Sequence, residues 1–112
     1  MSPVPYRAEL ISDTVTASGN TSATPIVVQW AKEATFFIDV TALTASQTLD
    51  VVIKTYNAGG DKWHKLAEWT QFTAVGTDEG FIGYGLGEKL AVFYTLSGGS
   101  CTFSVNALLK EF

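Results

Sequence analysis

The chain has 112 residues, 46% of them apolar, 12% aromatic and 16% charged, with a formal net charge of −4. That length suits one domain able to bury about two-thirds of its unfolded surface, and so apolar and weakly charged a composition argues against intrinsic disorder. An acidic chain whose seven lysines and arginines are scattered singly from Arg7 to Lys110 has no basic run to neutralise phosphates, so nucleic acid is not an expected partner.

The N-terminal stretch MSPVPYRAEL lacks the apolar core of a signal peptide, and no apolar run reaches membrane-spanning length. Neither export nor a membrane partner is expected; synthesis and assembly in a cytoplasm are. Pro3 and Pro5 stiffen an extended backbone, and Val4 and Tyr6 offer apolar anchors, so residues 1–12 are expected to form an extended arm and 13–112 the folded domain. YRAELI, residues 6–11, also has the composition of a strand.

Fourteen threonines, eight serines and ten glycines separate short runs rich in Val, Ile, Phe and Tyr, the punctuation of successive strands. SDTVTASGNTSATP, residues 12–25, is small and polar and predicts a loop or frayed edge strand. TPIVVQW, 24–30, predicts a strand that Pro25 can begin. In ATFFIDVTALT, Phe36, Ile38, Val40 and Ala42 alternate with Phe37, Asp39, Thr41 and Leu43. After TASQ, the run TLDVVIKTY puts Leu49, Val51 and Ile53 on one face and Asp50, Val52, Lys54 and Tyr56 on the other.

NAGGDKWHKLAEW, 57–69, is glycine-rich at its start and predicts a hairpin into KWHKLAEW. Its parity is broken: Trp63 and Trp69 share a face with Lys65 and Ala67, while Leu66 falls beside His64 and Glu68. A β-bulge would reconcile the two halves. GTDEGFIGYGLGEK, 76–89, reads as a strand with interior glycines or as a long loop. KLAVFYTL and CTFSVNALL, joined by SGGS, predict a second hairpin. Seven or eight strands at this spacing predict an all-β antiparallel sandwich, jelly-roll-like, with an immunoglobulin-like sandwich as the alternative.

Catalytic patterns are weak. GFIGYGLG fails the dinucleotide frame because Glu88 takes the last glycine position and no helix follows. His64 is the sole histidine and no serine sits in a nucleophile elbow. Asp78 and Glu79 in a glycine-flanked segment read as solvated turn acids rather than a calcium or glycosidase pair. Cys101 shares its parity with Phe103, Val105, Ala107 and Leu109, so its thiol belongs to a core face. No catalytic residue, metal or cofactor is expected. Trp30, Trp63 and Trp69 remain as core anchors, subunit-interface anchors or a sugar-stacking platform.

Laid out in this order, residues 34–109 resemble a type of small tailed-bacteriophage virion protein. IDVTALTASQTLDVVI leads into TYNAGGDKWHKL, a polar turn followed by Trp63 with Leu66 three positions on. QFTAV, a Gly-rich stretch and YTLSGGSCTFSV complete the pattern over about two-thirds of the chain. An arginine frequent in that family beside the aromatic of the penultimate strand is absent from LAVFYTL, so an interface built on it does not carry over. The resemblance implies a non-enzymatic capsid decoration (cement) protein on the virion surface, a homotrimer binding the major capsid protein. It also leaves open a receptor- or carbohydrate-binding module of a head fibre or tail. Interface candidates are Pro3, Val4, Pro5 and Tyr6 of the arm, with Trp63 and Trp69.

Overall fold

The computed structural model describes residues 6–28, 31–57, 59–60, 62–84 and 88–110. Among them every regular element is a strand: β1 (Tyr6–Val15), β2 (Gly19–Asn20), β3 (Ile26–Val27), β4 (Glu33–Leu43), β5 (Leu49–Asn57), β6 (Lys62–Glu68), β7 (Gly76–Tyr84), β8 (Lys89–Leu96) and β9 (Cys101–Lys110). They form two antiparallel sheets, one in the order β1-β9-β4-β7, the other β2-β8-β5-β6 with β3 also on β8.

This order has a simple origin. The chain doubles back on itself so that β1 pairs with β9, β2 and β3 with β8, β4 with β7 and β5 with β6. The doubled ribbon then wraps, closing β4 onto β9 and β5 onto β8. That winding is the jelly roll, and it displaces the immunoglobulin-like alternative.

Alternation supplies the core. Cys101, Phe103, Val105, Ala107 and Leu109 of β9 are at most 2% exposed, and they meet Phe36, Ile38 and Val40 of β4, Leu49, Val51 and Ile53 of β5, and Leu90 and Val92 of β8. Each such Val, Leu, Ile or Phe contributes about 1.5–3 kcal/mol by leaving water. With no polar side chain buried among the described residues, this core is held by apolar packing.

Bulges reset that alternation where simple parity fails. The β4–β9 register slips between Val40 and Ala42, leaving Ala42 exposed and turning Leu43 onto the core, the reverse of the plain two-residue period. On β7 the slip falls at Gly80, between the partners of Phe36 and Phe37. The glycine-rich segment is therefore a strand over 76–84; residues 85–87 lie outside the described ones.

Two expectations are corrected. From Tyr6 onward the supposed arm is β1, a ten-residue edge strand paired with β9 from Tyr6–Leu109 to Val15–Cys101, because Ala8, Leu10 and Val15 fill the core. Pro3, Val4 and Pro5 lie outside the described residues. SGGS, moreover, closes no hairpin: β8 belongs to one sheet and β9 to the other. It is an arch between sheets, braced against the β4–β5 arch by Thr44 N–H to Ser100 O (3.0 Å) and Ser97 N–H to Thr48 O (3.0 Å). Gly99, at φ +65°, backs directly onto Thr44.

Candidate functional site

NAGGDKWHKLAEW forms the β5–β6 hairpin, with Gly59 and Gly60 exposed in its turn. Tyr56 pairs with Trp63 and Lys54 with Lys65, whereas Ile53 already pairs with Ala67. Leu66 is the extra residue between them, the bulge that the broken parity calls for. Its consequence decides the fate of two tryptophans. Trp69 is 4% exposed, within the core, and its backbone N–H donates to Val51 O at 3.2 Å. Trp63 is half-buried on the opposite, outer face beside Tyr56. They share no surface, so Trp69 is removed as an interface candidate and the two-tryptophan sugar platform with it; Trp30 lies outside the described residues.

Around Trp63 the outer face of β6, β5 and β8 gathers a cluster. The Trp63 ring lies 5.2 Å from Tyr56 and meets Phe93 edge-on at 5.7 Å. Lys54 Nζ stands 4.4 Å above the Phe93 ring, and Lys89 Nζ 5.4 Å from the centre of Tyr56. Ring edges are positive and ring faces negative, which favours both the tilted ring pairs and an ammonium over a face. All five side chains are half-buried. Lys65, exposed on the same face, forms an ion pair with Glu68 at 3.0 Å that water screens to little energetic value.

Charge is distributed unevenly. Strands β5, β6 and β8 carry Lys54, Lys62, Lys65 and Lys89, four of the seven lysines and arginines, against Asp50 and Glu68, two of the eleven acids. On the outer face Lys54, Lys65 and Lys89 stand against Asp50 and Glu68, a balance of +1 in a chain of −4, because Lys62 pairs with Asn57 on the other parity. Cations that are isolated along the sequence converge because the sheet order sets β8, β5 and β6 side by side.

The opposite outer face, on β1, β9 and β4, is of different character. Ser12, Thr14, Thr35, Thr102, Ser104 and Asn106 share it with Phe37, Asp39 and Leu108; Thr14 and Thr102 share a hydroxyl hydrogen bond of 2.7 Å, and Lys110 pairs with Glu33 at 3.5 Å.

The groups considered for chemistry lie apart. His64 is exposed on β6 opposite Thr55. Cys101 is buried, its thiol pushed above its ordinary value by desolvation, in a setting that suppresses thiolate reactivity. Asp78 and Glu79 fall within β7 opposite Ile38 and Phe37 rather than in a turn. Among the described residues no three of His, Cys, Asp and Glu come together as a metal site, and no helix is long and apolar enough to cross a membrane.

No protein-family model matches the chain, and no curated protein matches it in sequence. Among solved structures it is similar to the Yersinia pseudotuberculosis-derived mitogen, at 16% identity and a TM-score of 0.47, over 97% of this chain and 90% of that one.

Proposed function

We propose that this protein is a non-enzymatic structural component of a tailed-bacteriophage virion. In this reading it is a decoration protein that binds the major capsid protein on the outside of the head and stabilises it, after assembly in the host cytoplasm. The adhesive half of this reading is carried by the cluster of Trp63, Tyr56 and Phe93 with Lys54 and Lys89 on one outer sheet face. Large rings and long cations that are half-covered in the free protein are the side chains that anchor protein interfaces, since they bury much area at small entropic cost. The capsid as target comes from the ordered resemblance over residues 34–109. Jelly rolls recur in virion domains, which agrees with that target without specifying it.

A homotrimer follows from the same resemblance. Three copies engaging a lattice together would gain avidity from contacts that are individually weak. A carbohydrate-binding role loses its physical basis once Trp69 is in the core.

Heads purified without the protein, from the phage that encodes it, provide the test. Added protein should co-sediment with them saturably and raise their disruption temperature. Absence of both effects ends the decoration reading.

A further inference from the structure

We propose that the outer face of β5, β6 and β8 is a docking surface for a carboxylate-rich protein segment, gripped by Lys54 and Lys89 on either side of Trp63. Among the described residues Lys54 and Lys89 interact with rings and not with carboxylates: each ammonium rests over an aromatic face, and the one ion pair on this side of the sheet joins Lys65 to Glu68. An ammonium over a ring keeps part of its water and all of its charge, so an arriving carboxylate gains a full charge-assisted hydrogen bond without first breaking an ion pair.

The rings supply the rest. Trp63, wedged between Tyr56 and Phe93 at 5.2 and 5.7 Å, is fixed before the partner arrives and loses little freedom on binding. The chain as a whole is acidic, at −4, so a locally cationic face is where an acidic partner meets least repulsion.

The same geometry weighs against a neutral sugar. Stacking needs open ring faces, and here the faces of Phe93 and Tyr56 carry ammonium groups while Trp63 meets ring neighbours on two sides. As the face by which a decoration protein meets a capsid, this surface rests on the reading above; as a carboxylate-binding surface it does not.

Immobilised poly-L-glutamate is the probe. The wild-type protein should bind it, weaken as salt is raised, and lose about tenfold or more in affinity in the K54E/K89E variant. Both side chains lie on the outer face, away from the core, and circular dichroism confirms that the variant folds. The R7E/K32E variant makes the same charge change at two exposed positions elsewhere and should bind as the wild type does. Poly-L-glutamate ignored by the wild type, or bound equally by K54E/K89E, overturns the proposal. So does equal or tighter binding of heparin or of amylose, which would assign the face to a sulfated or a neutral saccharide. Poly-L-glutamate binding without capsid binding removes the decoration reading alone, and capsid binding unaffected by K54E/K89E removes this face as the capsid contact while leaving the decoration reading in place.

Discussion

Gly99→Ala tests the junction that converts an apparent hairpin into an arch between sheets. At φ +65° an alanine is strained by about 1 kcal/mol relative to glycine. Its Cβ would also lie 2.6 Å from both Cβ and Oγ1 of Thr44, so Thr44 must move. Thr44 Oγ1 donates to Ser100 O at 3.2 Å and accepts from Ser100 N–H at 2.9 Å. Losing this exposed pair adds about 1–2 kcal/mol. The total is about 2–3 kcal/mol, a fall in Tm of roughly 10 °C for a domain of this size. Urea unfolding of wild type, G99A, T44G and G99A/T44G separates the parts: without the Thr44 side chain only the backbone strain should remain, leaving a coupling of about 1–2 kcal/mol. A G99A variant within about 0.5 kcal/mol of wild type, or a penalty unchanged in the T44G background, would refute this account of the arch.

Further predictions concern the core and the bulge. Trp69→Ala should cost about 3–5 kcal/mol because it empties a core site, while Trp63→Ala forfeits two ring contacts worth about 1–2 kcal/mol together; equal costs would mean that Leu66 does not separate them. Phe103→Ala, at the centre of β9, should also cost about 3–5 kcal/mol by chemical denaturation. Cys101 should resist a thiol reagent in the folded protein and react at once in urea. Burial raises its folded-state pKa, so the neutral thiol's contribution is complete below the unfolded thiol's ordinary value of 9.0 and is lost as pH climbs through the higher folded value. The stability of C101A should accordingly fall less steeply on the alkaline side than that of wild type.

Elements whose signal is local were legible in the sequence. Strict alternation in CTFSVNALL placed Cys101, Phe103, Val105, Ala107 and Leu109 on the core, and the glycines of NAGG marked the single hairpin of consecutive strands among the described residues. Broken parity between Trp63 and Leu66 pointed to a bulge, though not to its effect of sending the two tryptophans to opposite faces. The bulge at Thr41 left no such mark: Ala42 and Leu43 suit either parity, so only pairing with β9 reveals which faces inward. SGGS misled because a short Gly-rich link between two strands has the same composition whether the strands pair or part to different sheets. Whether they part depends on β4, β5, β8 and β9 assembling, a non-local matter.

The docking face was the least accessible part. Lys54 and Tyr56 stood on the outward parity of β5, and Lys89 and Phe93 share the outward parity of β8, but nothing local joins residues some forty positions apart. The register Lys54–Ala91 and Val52–Phe93 does. The same register turns isolated lysines into a cluster that charge counting along the chain misses.

The most direct measurement of the central claim is a cryo-electron microscopy reconstruction of heads incubated with the purified protein. The account predicts ordered density for a jelly roll on the outer capsid surface, with the β5, β6 and β8 face turned inward and Trp63 at the contact. Heads without added density, or a bound protein presenting that face to solvent, would contradict it.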